Sequence, residues 1–590
     1  MKTIVADQLA QRLIDWGVDT VFGLPGDGIN GIMEGLRRHQ DQLEVVLVHH
    51  EEAAAFMATG YAKATGRLGV CLATSGPGAI HLLNGLYDAK LDHAPVLAIT
   101  GMQETSLLGT AYQQEVHTDR LYADVATAYN LMVTNPKQVP TVVDLAIRNA
   151  LTKQSVAHLT FPNDIQIAEA ELDPYEHPAP ARAPETSTVY LCHGPALQQD
   201  QLRSAAEILN QAQRPAILAG AGALGARSEV LAVAEKLGAP IVKTLPGKAV
   251  VPDDSEYTTG GIGLLGTAPS EDLMEETDCL LMVGTNFPYT KHLPTPGQAK
   301  VVQIDIEPSR SGARIPTDIP LVADSADALR ELLPMLSIHS ERGHLRKYQV
   351  QMNDWRSNMS ALETADRDPI APQYLAALMD QLGDDDAILT CDSGTIATWA
   401  ARHWHVRGGR EFYLSGNLAT MAPGLPYAIA MKHAFPDRQV LALVGDGGFA
   451  MLMAEFLTAV RRQLPIKIIV NNNNSYGQIL WEQIALGYPE YSVRHGDPEA
   501  NFGAWAQACG GFGVKITNPA DLRGAISDAL AHPGPALVDV DVDPNEPPMP
   551  GKVTYEQAKH LMQAFLRGQP HKVATATTIA KDKIQQLRSN

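Results

Sequence analysis

The run Val444-Gly445-Asp446-Gly447-Gly448, followed by Asn472-Asn473, holds a carboxylate in a glycine turn and an amide oxygen beyond a helix and a strand. Mg²⁺ takes about six oxygens and combines few protein ligands with phosphate oxygens and water. Asp446, Asn473 and one main-chain carbonyl, for which Ser475 is the candidate, therefore suffice to carry a diphosphate. The flanks show what must position them. Leu441-Ala442-Leu443-Val444 reads as a strand, Phe449 to Arg462 as a helix, and Ile466-Lys467-Ile468-Ile469-Val470 as a second strand. A right-handed crossover brings the ends of both strands to one edge of a parallel sheet, where ligands of open α/β sheets bind. Gly445, Gly447 and Gly448 let the backbone approach a phosphate, and the helix beginning near Phe449 points its positive end there. The segment alone also reads as a glycine turn and a polar Asn loop with no metal.

Four further stretches precede this one in order: Gly23-Leu24-Pro25-Gly26-Asp27-Gly28, His50-Glu51-Glu52, Ser75-Gly76-Pro77-Gly78 and Tyr112-Gln113-Gln114-Glu115. Together with the Mg²⁺ segment they resemble the thiamin diphosphate enzymes that include pyruvate oxidases, acetolactate synthases and pyruvate decarboxylases, from about Thr3 to Glu546. The resemblance implies that Glu51 contacts the aminopyrimidine ring and promotes the tautomer that deprotonates the thiazolium carbon. A poorly solvated Glu suits that task because its raised pKa lets it share a proton with a ring nitrogen. Val45-Val46-Leu47-Val48 reads as a strand and Ala53 to Ala58 as a helix, so Glu51 falls at a buried strand-to-helix transition; read alone it is equally a first-turn charge favoured by the helix dipole. His49, His50 and Glu52 are assigned no chemistry. The resemblance also places Gly26, Gly28, Gly445 and Gly447 beside the cofactor, Met421 under its bent form and the Ala419 carbonyl at its amino group.

The implied fold is α/β, with three doubly wound parallel-sheet domains: pyrimidine-binding (1–185), central FAD-binding (192–337) and diphosphate-binding (370–543). Residues 338–369 form a linker with a helix, and 544–590 a C-terminal helix and tail. The proline-rich stretch Pro174 to Pro180 ends the first domain. Strands are expected at Ala216–Ala219, Cys279–Val283 and Val301–Asp305. Gly220-Ala221-Gly222, between a strand and a helix beginning near Arg227, is a partial dinucleotide turn. By resemblance Gly220, Gly222, Thr244, Asp305 and Asp324 bind FAD, with Asn286 in the segment near the flavin; the same residues would also suit a vestigial site.

Acetolactate-forming relatives place a Trp five residues beyond the glycine matching Gly477, whereas pyruvate oxidases place Glu there. This chain has Glu482, with Trp481 one residue early. That favours oxidation of the decarboxylated intermediate over carboligation, with FAD taking two electrons and passing them to quinone or O₂, and with acetate or acetyl phosphate as product. Gln114 is retained for the substrate, and pyruvate is the expected 2-keto acid, although Gln113 replaces an aromatic that the family commonly has, a change that shifts preference toward a more polar one. The cofactors implied are thiamin diphosphate, Mg²⁺ and FAD. The implied assembly is a homodimer or homotetramer, with the cofactor between the first domain of one subunit and the third of its neighbour.

Composition narrows the classes. A formal charge of −20, from 46 Lys and Arg against 66 Asp and Glu, argues against nucleic acid, which calls for a basic face. Cys71, Cys192, Cys279, Cys391 and Cys509 lack zinc spacing and read as free thiols. The first seventeen residues read as an amphipathic helix rather than a signal peptide, so the cytoplasm is the expected compartment. Tyr555 to Arg567 has one apolar face, and Lys559, Arg567, Lys572, Lys581, Lys583 and Arg588 add positive charge around it. That suits peripheral contact with an anionic membrane surface; the other reading is a helix over the active site followed by a frayed polar tail.

Overall fold

The structure, a computed structural model, describes residues 2–170, 188, 197–552 and 555–589. Cys192 and the proline-rich connector lie outside the described residues.

Among the described residues eighteen strands form three six-stranded sheets, every pairing parallel. The first holds β1 (Thr20–Gly23), β2 (Glu44–Leu47), β3 (Gly69–Ala73), β4 (Val96–Met102), β5 (Tyr129–Met132) and β6 (Val156–Pro162), in the order β2-β1-β3-β4-β6-β5. The middle sheet holds β7 (Pro215–Ala219), β8 (Ile241–Lys243), β9 (Thr258–Gly261), β10 (Cys279–Val283), β11 (Lys300–Asp305) and β12 (Ile319–Val322), in the order β12-β11-β10-β7-β8-β9. The third holds β13 (Ile388–Cys391), β14 (Glu411–Tyr413), β15 (Val440–Gly445), β16 (Lys467–Asn472), β17 (Phe512–Ile516) and β18 (Ala536–Asp541), in the order β14-β13-β15-β16-β18-β17. Helices cover both faces of such sheets, so central strands are buried on both sides and read as continuous apolar runs. All seven residues of β4 are buried.

In each sheet two neighbouring strands mark a reversal of winding, and ligands of open α/β sheets bind at such a point; the first and third sheets also turn back at their far edge, where β5 lies outside β6 and β17 outside β18. The reversals lie between β1 and β3, between β7 and β10, and between β13 and β15. The first and third sheets share one apolar core, in which Phe56 and Ala58 pack with Tyr427 and Val444. The helix Glu51–Thr65 is buried along most of its length because it lies between the first sheet and the helix Gly424–Ala434. Its alanines and Gly60 permit the approach: a Cβ on Gly60 would stand 2.8 Å from the Tyr427 ring. Lys63 lies half-buried in this seam, donating to Asp92 (2.6 Å), to the Tyr427 hydroxyl (2.7 Å) and to the Leu414 carbonyl (3.1 Å).

Some expectations need correction. The helix expected over Phe449 to Arg462 starts at Asp446 and is two helices, Asp446–Leu452 and Glu455–Arg461. The carboxylate thus sits inside the first turn, beside the free N–H groups. The tail is not frayed: Lys572–Ser589 is a second helix, tied to the body by Asp582 on Arg367 (2.6 Å) and by Thr578 donating to Asp543 (3.0 Å). The helix Tyr555–Leu566 packs through Ala564 on Leu480 and Ile484. Among the described residues no helix is long and apolar enough to cross a membrane, and Cys71, Cys279, Cys391 and Cys509 are free thiols.

Candidate active site

Three clusters, one on each sheet, carry most of the residues singled out above. The first gathers at the carboxyl edge of the first sheet. Glu51 opens the helix that follows β2, capped by His50, whose Nδ1 accepts from the Glu52 N–H (3.2 Å). Its carboxylate is buried, and Oε2 stands 2.9 Å from Nδ1 of His81. His81 stacks on His50 at 4.5 Å between ring centroids. Proton-sharing atoms of His50, Glu51 and His81 thus lie within 4.8 Å of one another. A Cβ on Gly78 would come 3.1 Å from Glu51 Oε1, so this glycine keeps one face of the carboxylate open. Ser75 donates to Gln114 Oε1 (3.2 Å), leaving the amide nitrogen of Gln114 free to donate, and Gln114 is held at a positive φ of 62°. Gly26 and Gly28 lie at the reversal point between β1 and β3. A Cβ on either would stand 2.5 Å from Thr74 or Ser75, so their absent side chains let the two loops close on each other.

The second cluster forms at the reversal point of the third sheet. One N–H, that of Ser475, donates to both Asp446 Oδ2 (3.2 Å) and Asn473 Oδ1 (3.1 Å). The carboxylate and amide oxygens expected to meet therefore do. Burial pushes Asp446 up to about 7, opposed by the backbone N–H groups of Gly447 and Ser475. His495 Nε2 is 3.6 Å from Oδ2. Two hard oxygens converging around a buried carboxylate are what a divalent cation needs, and a cation would hold that carboxylate ionised. A Cβ on Gly447 would meet the Tyr476 ring at 2.8 Å and Met421 Cε at 3.3 Å, so Met421 lies over the glycine turn; Gly445 faces open space. Met421 sits between Ala419 and Ala422, both at positive φ (55° and 76°). Such strained backbone persists where surrounding structure holds it, and clusters at functional sites.

The sequence reading missed two groups here. His81 carries no signal of its own beyond following Pro77-Gly78. Ser393-Gly394-Thr395 joins β13 to the helix Thr395–His403 across the reversal from Asp446, and a Cβ on Gly477 would come 3.1 Å from Thr395 Oγ1. An apolar run, a Ser-Gly and a second apolar run are common to any strand-to-helix turn, and only the strand order marks this loop. Beneath it, Asp392 is buried and pushed up to about 7 by burial, with Oδ2 lacking a hydrogen-bond partner.

Glu482 is not gathered with Glu51 in this chain. It is exposed on the helix Gly477–Ala485, accepting from Gln478 (3.0 Å), while Trp481 turns into the seam formed by Leu480, Ile484, Val493 and Ala564. The middle sheet brings together the third set. Gly220 and Gly222, Thr244, Asn286, Asp305 and Asp324 end or follow adjacent strands on its carboxyl edge. Gly220 and Gly222 pack on Gly284 across the reversal, the Gly222 N–H donating to the Gly284 carbonyl (3.0 Å). Thr244 Oγ1 accepts from Gly247 (3.2 Å), and Asn286 Oδ1 accepts from Arg314 (3.1 Å). Asp305 is buried, accepts from the Glu307 N–H (3.0 Å) and is raised by burial. Asp324 caps the helix Ser325–Leu332.

Three domain profiles of thiamine pyrophosphate enzymes match the chain in order: the N-terminal TPP binding domain over residues 3–122, the central domain over 202–332 and the C-terminal TPP binding domain over 392–540. The chain is 40% identical over 559 residues to the thiamine pyrophosphate-containing protein YdaP of Bacillus subtilis (strain 168), covering 95% of each. It is 34% identical over 472 residues to a pyruvate oxidase of Lactiplantibacillus plantarum, covering 79% of this chain and 76% of that one. It is 30% identical over 549 residues to the acetolactate synthase isozyme 1 large subunit of Escherichia coli (strain K12), covering 92% and 94%.

Proposed function

Because the chain belongs to the thiamine pyrophosphate enzyme family, we propose that it catalyses the oxidative decarboxylation of pyruvate. The products are acetate or acetyl phosphate and CO₂, and the electrons leave through FAD to a quinone or O₂. Thiamin diphosphate, when bound, supplies a carbon nucleophile for the keto group and an electron sink for the pair released with CO₂. Asp446, Asn473 and the Ser475 carbonyl would hold Mg²⁺ and through it the diphosphate, with Gly394 and Thr395 across the reversal point. Met421 would support the bent cofactor and the Ala419 carbonyl its amino group. Glu51 would hold and return the aminopyrimidine proton, with His81 on its second oxygen fixing the carboxylate. Gln114 offers its amide N–H groups to the substrate.

FAD is supported by the middle sheet. Read from its other edge, the order is third-second-first-fourth-fifth-sixth, the order of dinucleotide-binding sheets, with glycines at the reversal and acidic residues ending β11 and following β12. The observation that carries oxidation over carboligation is the place of Trp481: it is committed to the helix seam, and Glu482 stands at the position where acetolactate-forming relatives are expected to have Trp. Acetolactate-type carboligation is the second reading, favoured by acetolactate synthases that align over 92% of this chain. Anaerobic mixing with thiamin diphosphate, Mg²⁺ and pyruvate, followed at the flavin band at about 450 nm, separates them. Bleaching is expected; an unchanged or missing flavin band with acetolactate formed would replace the oxidase reading with the carboligase one.

A further inference from the structure

The mechanism above leaves a buried carboxylate unused. Glu455 opens the helix Glu455–Arg461 and has no exposed surface. Its Oε1 accepts from the backbone N–H of His49 (2.8 Å) and of His50 (3.1 Å), and its Oε2 accepts from Thr458 Oγ1 (2.7 Å). The only ion-pair partner within reach among the described residues is His49, 3.7 Å from Oε2. Thr458 also lies 3.1 Å from His49 Nδ1, and Arg461 is 2.9 Å from His49 Nε2.

Burying a carboxylate costs several kcal/mol unless strong donors compensate it, and the donors here are the two backbone N–H groups just before Glu51. Their location explains the need. β2 is the edge strand of the first sheet and ends at Leu47, so no strand beyond it can accept from His49 and His50, and the helix that starts at Glu51 cannot accept from residues that precede it. Glu455 takes the place of the missing strand edge. It fixes the backbone that sets the direction of the Glu51 side chain, from a helix that follows the Asp446 turn in the same chain.

We propose that Glu455 is a positioning residue for Glu51: it holds the strand-to-helix turn in the one conformation that aims the Glu51 carboxylate, and without it thiamin diphosphate binds but is poorly activated. This rests on the assignment of Glu51 in the proposed function. The alternative is a bridge that only fastens the third sheet's unit to the first, which would change stability and leave activation untouched.

The test uses the full-length protein saturated with thiamin diphosphate and Mg²⁺, and reads hydrogen–deuterium exchange at the thiazolium C2 by acid quench and NMR, with cofactor affinity from quenching of intrinsic fluorescence. Glu455→Leu, which removes both acceptor oxygens where Gln would keep Oε1 for the two N–H groups, is expected to bind the cofactor within about threefold of wild type and to slow exchange by about tenfold or more, the scale of loss from a misplaced catalytic group. Combined with Glu51→Gln, it should slow exchange no further than Glu51→Gln alone, because residues acting as one unit are non-additive. Wild-type exchange in Glu455→Leu, or a full additional slowing in the double variant, overturns the proposal. If Glu455 variants do not fold, Thr458→Val removes the Oε2 donor and should slow exchange by about threefold, and an unchanged rate overturns the proposal equally. A wild type that does not accelerate exchange overturns the functional reading and this inference with it; an accelerating wild type beside an unaffected Glu455 variant overturns the inference alone.

Discussion

At the scale of single residues, the two clusters make separable demands. Glu51→Gln keeps a neutral, similarly sized side chain against His81, so the variant should fold and retain FAD while losing pyruvate-driven flavin bleaching by about 10²-fold or more, the range for a positioned proton-transfer group. Stopped-flow absorbance checks this, and full-rate bleaching would remove Glu51 from the mechanism. Asp446 makes a different prediction. With its pKa pushed up to about 7 by burial, protons compete with Mg²⁺, so apparent Mg²⁺ affinity should rise with pH below about 7 and level off above it. Asp446→Asn should flatten that dependence in a Mg²⁺ titration of cofactor binding. These side chains were legible because glycines and short polar runs interrupt apolar strands. His81 was not, since its importance comes only from the 2.9 Å approach to Glu51.

At the scale of elements, the tail shows how packing overrides composition. Lys572–Ser589 is polar enough to read as frayed, yet Arg367 draws Asp582, Glu546 and Asp543 to one point (2.6, 2.7 and 3.3 Å). Three carboxylates on one guanidinium leave excess negative charge. Burial, and then the charge of Asp582, push Glu546 up to about 8 against the pull of Arg367. A carboxyl whose folded pKa is raised stabilises the fold at low pH and loses that contribution as pH rises to the folded value. The tail helix should therefore loosen between about pH 4.5 and 8, seen as faster limited proteolysis at its end. Asp582→Asn removes one of the competing charges and should weaken that pH dependence; an unchanged profile would count against the charge argument. The helix Phe449 to Arg462 was legible as one periodic run. Its break at Met453-Ala454 was not, because it serves Glu455, whose partners His49 and His50 lie some four hundred positions away.

At the scale of the whole molecule, the placement of Glu51 and Asp446 on different sheets sets the question of assembly. If the cofactor lies between the first sheet of one subunit and the third of its neighbour, Glu51→Gln and Asp446→Ala proteins mixed under exchange conditions form heterodimers with one intact and one doubly altered site. The mixture should regain about a quarter of wild-type activity, from random pairing in a twofold dimer. No recovery, with exchange verified by tagged subunits, would place the whole site in one chain. The amino-acid sequence by itself determined the enzyme family and the class of fold: glycine turns, strand-length apolar runs and the carboxylate and amide of Asp446 and Asn473 are local signals, read within a few residues. The tertiary structure alone decided which edges face one another. The reversal point that brings Thr395 beside Gly477, the seam that claims Trp481, and the bond from Glu455 to the turn before Glu51 all join residues far apart in the chain. Strand order and long-range burial, which no local pattern encodes, set those contacts.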